Sequence, residues 1–422
     1  MSNFSSRERM VARLLSGSPK AKKYLKRLYV LFNYALYKKN FSSRVYLKNA
    51  SLNIVPSDNT EDETFFGYYD KSPDNSKNQV IINRASSSTS KTPDAVHPIS
   101  IDVVNLATGE VEHVADSSAY NWQQGSRAQW LDESQLIYNY YDSTDQRYKS
   151  AVYDISLHAV TRRFTYPVQD TYSNKYALAI NYQRIMALRP DYGYRCAPAV
   201  SEEELKIIKD DGIWQIDLNT GEVKLLVSLE KILETEPKPI FSSSLHKVNH
   251  VMISPNGKKF IFIHRWYEKG RRHDRLMLGD LNGKLKVLAD DDMVSHLTWV
   301  NDELIFGYLR NNGKNGFYFI NTDTGLFNLN ETLTNRIGGD GHPSVHEDNI
   351  VIDTYPDRSG MQHLYLYNRS ADKIRELIEV RHSPRFNGES RCDLHPRFST
   401  NGKMIFFDTV CSGKRRLCYI HL

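Results

Sequence analysis

Short apolar runs alternate with polar turns along most of this chain, and one version of the pattern recurs. HVMISPNGKKFIFI, HLTWVNDELIFGYL, HPSVHEDNIVIDTYP and HPRFSTNGKMIFFD each open on a histidine, namely His250, His296, His342 and His395. A few residues of strand character follow, then a polar turn (PNG, ND, ED, TNG), then a run of β-branched or aromatic residues. The histidines are spaced by 46, 46 and 53 residues. A strand-built period of that length predicts a β-propeller, in which each repeat is a four-stranded blade and the innermost strands line a central channel. One register in four successive blades would set the four histidines on a ring around that channel.

The same grammar extends upstream. Blade one is expected from FFGYYDKSPDNSKNQVIIN to the turn at ATGE, and blade two from NWQQGSRAQWLDESQLIYN. There Trp130 aligns with Trp299, which puts Arg127 at the histidine register. Blade three runs from YSNKYALAINYQRIMALRPDYGY to LNTGEVKLLV, with an insertion over residues 190–212. Outer strands end in a repeated hairpin (LATGEVEHV, LNTGEVKLL, LNGKLKVL, TDTGLFNL), whose glycine suits a tight turn. The fold class expected is all-β, a seven-bladed β-propeller over residues 49–422 behind a short basic helical extension, residues 1–48. The strand candidate RVYLKNASLNIVP is expected to complete the last blade, because closure removes an exposed sheet edge.

Charge separates the two parts. The chain carries a formal +5, yet the first 48 residues hold twelve Lys or Arg against Glu8 alone. The body is therefore net negative, which argues against a nucleic-acid groove. Within the extension, KAKKYLKRLYVLFNYALYKK has no Gly or Pro and places Leu25, Tyr29, Phe32 and Leu36 at helical spacing. Such a helix can lie on an anionic membrane surface, dock a partner protein, or cap the open end of the propeller. No apolar leader and no run of 18 apolar residues is evident, and the four cysteines lack a CxxC pair. A cytoplasmic protein with reduced thiols is expected, either free or held peripherally at a membrane.

Three clusters carry candidate chemistry. The histidine ring can gather a divalent ion such as Mn or Zn, bind an anionic sugar, or move protons. FIHRWYEKGRRHDRLML offers His264 and Arg265 at the end of an apolar strand, and arginine holds a carboxylate bidentately. The third cluster is polar and aromatic: Tyr69 and Asp70 of GYYDKSP, Asn121 and Gln123 of NWQQG, and Arg189, Tyr192, Tyr194 and Arg195 of RPDYGYR. Twenty-six tyrosines suit a carbohydrate cleft and equally suit packing between sheets. No GxSxG elbow, Walker loop or GxGxxG is present.

The SPNGKKFIF and HPRFSTNGKMIFFD repeats, each with its histidine ahead, resemble the seven-bladed propeller polysaccharide lyases of the oligogalacturonate-lyase and ulvan-lyase type. The resemblance covers roughly residue 60 to the end. It implies a manganese-type site at the channel mouth, with His342 and His395 as ligands. The family has a Gln and a second His ahead of its HP, whereas SRCDLHP has Asp393 in that histidine's place. It further implies β-elimination on an acidic glycan. Arg265 and the ring, with His250 and His296, would neutralise the uronate, and His264 or Tyr192 and Tyr194 would transfer protons. The alternative reading is a non-catalytic glycan-binding or scaffold propeller at the inner face of a membrane.

Overall fold

The computed structural model describes residues 19–422, Lys269 excepted, so the first part of the basic extension lies outside the described residues. Seven antiparallel sheets follow one another along the chain. Blade one runs from strand Glu63–Phe65 to Val111–Ser117, blade two from Gln129–Trp130 to Ala159–Phe164, and blade three from Asp170–Tyr172 to Val223–Ser228. Blade four runs from Leu245–Ile253 to Leu285–Ala289 and blade five from Val294–Trp299 to Phe327–Asn330. Blade six runs from Ser344–His346 to Lys373–Arg381, and blade seven from Arg397–Phe398 to Arg416–His421.

The inner strands are apolar on both faces because each blade is packed between two others. KFIFI of blade four is almost wholly buried, and Ile261 and Ile263 join Leu297, Trp299 and Ile305 of blade five in one core. The predicted alignment of Trp130 with Trp299 has a structural counterpart. Trp130 Nε1 donates to Pro73 O of blade one at 2.8 Å, and Trp299 Nε1 donates to Met252 O of blade four at 3.0 Å. Each indole thus pins its blade to the one before.

A second repeated device is a short polar side chain on the second strand that captures backbone of the next blade. Asn139 accepts from Val168 N, Asp353 from His395 N, and Asp408 from Phe66 N and Gly67 N. Each satisfies a buried donor that the twisting channel wall would otherwise strand.

Closure follows the predicted logic with one addition. Asn53–Ile54 pairs with the outer strand of blade seven, Asn53 opposite Tyr419, as an edge-completing strand from the other end of the chain. Upstream of it, Ser43–Val45 adds a fifth strand to blade six, Ser43 opposite Val380. Strand pairing therefore begins within the 1–48 segment.

Two helices matter below. Helix α1, Pro19–Tyr37, starts at the expected proline. Its Asn33 is buried, and its Tyr34 ring lies against Gly360 of blade six. The apolar stripe does not face the propeller: Leu25, Leu28, Phe32 and Leu36 are 44–65% exposed. Helix α2, Tyr182–Leu188, interrupts blade three at YQRIMAL. Asn181 ends the preceding strand by accepting from Gln183 N and Arg184 N, an N-cap that starts a helix.

Candidate metal and anion site at the channel mouth

The four repeat histidines do form a continuous row. Ring centroids are 5.7 Å apart for His250 and His296, 4.0 Å for His296 and His342, and 4.3 Å for His342 and His395. The local backbone sets two of these positions. His250 and His395 adopt left-handed φ of 53° and 45°, and Arg127, predicted at the same register, has 55°. A left-handed residue on an innermost strand breaks the ladder there and turns its side chain to the channel.

Tyr68 and Tyr69 lie against the row. Tyr68 Oη is 2.5 Å from His250 Nδ1, and its ring meets His395 at 5.0 Å. Tyr69 contacts His296, His342 and His395, while its hydroxyl donates to Leu297 O at 2.9 Å and accepts from Leu297 N at 3.1 Å. The Tyr69 ring therefore shapes the site and its hydroxyl is already used.

At one end of the row is a set of metal-ligand type. His342, Asp393 and His395 each bring one ligand atom to within 4.8 Å of the others. His342 Nδ1 is 2.9 Å and 3.0 Å from the two Asp353 oxygens, so it donates there and leaves Nε2 as an acceptor. His342 Nε2 and His395 Nε2 are both buried without a hydrogen-bond partner. A carboxylate behind a histidine, two free imidazole nitrogens and a second carboxylate, Asp393, fit a divalent ion such as Mn or Zn. Burial lowers the His342 basicity, but Asp353, Asp393 and Asp340 outweigh it and raise the net pKa. Burial pushes the Asp393 carboxyl up, but Arg391, gripping it bidentately at 2.6–2.9 Å, and His342 hold it below the usual carboxylate range. Another acid–histidine group, His363, Glu376 and Glu379, lies on outer strands with its members already paired to each other, Tyr46 and Lys39.

The other end is basic. Arg265 and Lys247 are direct cross-strand partners in blade four, and Arg265 Nε donates to Asp274 at 2.6 Å. Arg189 sits over the Tyr192 ring at 4.4 Å, and Tyr192 meets Tyr68 and His250 edge-on. The Tyr192 hydroxyl is buried without a partner, and burial raises its pKa, so it stays protonated near neutrality. His250 is held well below the usual histidine range by burial and then by Arg265; His296 is lowered to about 4 by burial and His342, against the pull of Asp340. Both are neutral imidazoles at pH 7.

Other predicted residues go elsewhere. His264 is adjacent to Arg265 on one strand and so faces the opposite side of the blade. There Arg275 Nε donates to His264 Nδ1 at 2.9 Å and His264 Nε2 bonds His246 Nδ1 at 3.0 Å, leaving no free nitrogen. Tyr194 stacks on Tyr182 at 4.1 Å, and its hydroxyl accepts from Asn139 at 3.0 Å, away from the row. Asp70 is occupied by a bidentate, buried Arg127 at 2.8 and 2.9 Å. Arg195 pairs with Glu389 outside the row.

Asn121 acts through backbone: its Nδ2 donates to Tyr192 O at 3.0 Å, and its Oδ1 accepts from Gln123 N and Gln124 N. Gln123 donates to Arg391 O at 2.9 Å. Both thereby position residues of the mouth. Asp353, Asp340, Arg391 and Lys247 were not singled out from the sequence. Only Asp353 carried a signal, since the Asp-Thr step after its apolar run, IVIDT, recurs as IFFDT at Asp408 in the next blade.

No protein-family model and no curated protein matches the sequence. In fold the chain is similar to a solved oligogalacturonate lyase in complex with manganese, at 14% identity and a TM-score of 0.58, over 91% of this chain and 98% of that one. The oligogalacturonate lyase of Vibrio parahaemolyticus is similar at 13% identity and a TM-score of 0.56, over 90% and 98%. The protein is a seven-bladed β-propeller with the architecture of the oligogalacturonate lyases and little of their sequence.

Proposed function

We propose that this propeller is a lyase-like enzyme that cleaves an acidic, uronate-containing glycan by β-elimination at the channel mouth. The observation that carries the reading is one row of histidines with a metal-type donor set at one end and a basic cluster, Arg265, Arg189 and Lys247, at the other. Elimination breaks the C4–O4 bond and forms a C4–C5 double bond. It needs the carboxylate neutralised, the C5 proton removed and the departing oxygen protonated. His342, His395 and Asp393 would hold a divalent cation, Mn or Zn, which when bound supplies positive charge for the uronate carboxylate. Arg265 and Arg189 add fixed positive charge for the same group. His296 is neutral and oriented by Asp340 at 3.2 Å, so it can accept the C5 proton. The protonated Tyr192 hydroxyl can donate to the leaving oxygen. His264 and Tyr194 take no part, their polar atoms being committed elsewhere.

The test combines elemental analysis of the purified protein with the rise in ultraviolet absorbance of an unsaturated uronide on a panel of acidic polysaccharides. The expected outcome is a stoichiometric divalent metal and rising absorbance, both lost in His342→Ala/His395→Ala. In Arg265→Ala activity should fall at least a hundredfold with the fold retained. No metal and no absorbance change on any substrate would remove the enzyme reading. A second reading, a glycan-binding scaffold held at a membrane surface, is favoured by the outward apolar stripe of α1, and its test is given below.

A further inference from the structure

The channel mouth is electrically lopsided. Around His342 and His395 stand Asp340, Asp353 and Asp393 against Arg391, a surroundings suited to a cation. Around His250 the balance is reversed. Lys247, Arg265 and Arg189 all bear on His250, with Asp274 and Asp191 as the nearby acids. Asp274 is already shared, by Arg265 at 2.6 Å and Arg272 at 3.3 Å, and Asp191 is bonded by Arg189 at 3.2 Å. That leaves Lys247 without a counter-ion.

Its isolation is complete. Lys247 is 0% exposed, and its Nζ has no hydrogen-bond partner. Arg265 Nη1, directly across the strand pair, is also buried and unpartnered. Asn249, two residues along the same strand and so on the same face, has neither amide atom bonded. Three side chains on one face of blade four thus present unused donors to one another. Like charges directly opposite in a sheet repel, and buried donors are nearly always satisfied, so this patch lacks an acceptor.

We propose that Lys247, Arg265 and Asn249 form a buried oxyanion-binding site that receives the carboxylate of a sugar acid seated beside His250. The oxyanion site stands on these unpartnered atoms alone; its assignment to a uronate rests on the function proposed above. A carboxylate accepts from all three donors and matches the single unbalanced charge. Burial first, and then Arg265 and Arg189, hold the Lys247 ammonium well below the usual lysine range, with Asp191 and Asp274 opposing. An arriving anion opposes that destabilisation and favours the charged ammonium.

Titration calorimetry on the full chain at neutral pH tests this, with sodium galacturonate, galactose and sodium sulfate. Galacturonate should bind and galactose should not. Lys247→Met should weaken binding at least tenfold. Asn249→Asp, which supplies a carboxylate from within, should raise the melting temperature and abolish binding.

Unchanged binding in both Lys247→Met and Asn249→Asp would overturn the site. So would failure of the wild type to bind either anion. Binding of sulfate without galacturonate would uphold the oxyanion site and count against the uronate reading.

Discussion

At the scale of single residues, chemistry here is decided by what stands behind a side chain. Asp353 accepts from His342 Nδ1 and from the backbone N–H groups of His342 and His395, so it sets both the tautomer of one ligand and the place of the other. Asp353→Asn should weaken divalent-metal binding by about 10–100-fold, as loss of such a partner does elsewhere. Chelator competition measures it, and unchanged affinity would deny the carboxylate its role. Asp70 makes the opposite case. Both its oxygens hold the buried Arg127, so Asp70→Ala should destabilise the fold by about 3–5 kcal/mol. Urea unfolding reads that loss, and a stable variant that loses only glycan binding would return Asp70 to the site. The histidine row was legible in the sequence because a period repeats a register. His264 and Arg265 were not separable by proximity, because neighbours on a strand point to opposite faces. Lys247 gave no signal, since its isolation exists only once the strands have paired.

Elements were legible where an edge or a period demanded them. The Asn53–Ile54 closing strand follows from the last blade's open edge, whereas helix α2 turns on the Asn181 cap inside an apolar run that periodicity alone cannot assign. Helix α1 was legible as a helix, but which way it faces was not. Asn33 is buried, Tyr34 meets blade six, and Leu25, Leu28, Phe32 and Leu36 are exposed on a helix without an acidic residue. An apolar stripe on a helix of lysine-rich sequence suits an anionic lipid surface, where apolar burial and charge act together. The full chain should co-sediment with vesicles containing anionic lipid and be released by salt. Leu28→Ser/Phe32→Ser should lose at least tenfold in vesicle affinity, since each exposed side chain contributes on the order of 1.5 kcal/mol when buried. Equal sedimentation of variant and wild type would sink the membrane-scaffold reading, and neutral vesicles binding equally well would deny the charge its part.

For the whole molecule, the consequence of burying so many imidazoles is a directed acid sensitivity. Behind blade four, Arg275 Nε donates to His264 Nδ1, His264 Nε2–H to His246 Nδ1, and His246 Nε2–H to Phe241 O at 2.8 Å. This chain of bonds requires both rings neutral. Burial lowers the His246 pKa to about 4, with Arg184 and Arg275 also lowering it against the Phe241 bond; His264 is held lower still by burial and Arg275. A histidine in the unfolded chain titrates near 6.5. Above that pH neither state binds the proton and the stability is fully present. As pH falls below it the unfolded state takes up the proton first, so stability is lost progressively down to about pH 4. For His246 alone the loss between pH 7 and pH 5 is about 2 kcal/mol. His246→Gln keeps an acceptor for His264 and a donor for Phe241 while removing the titration. Urea unfolding at the two pH values should therefore give a fall shallower by about that amount in the variant. An identical fall in variant and wild type would place the acid sensitivity elsewhere, in His250 or His296 at the channel mouth.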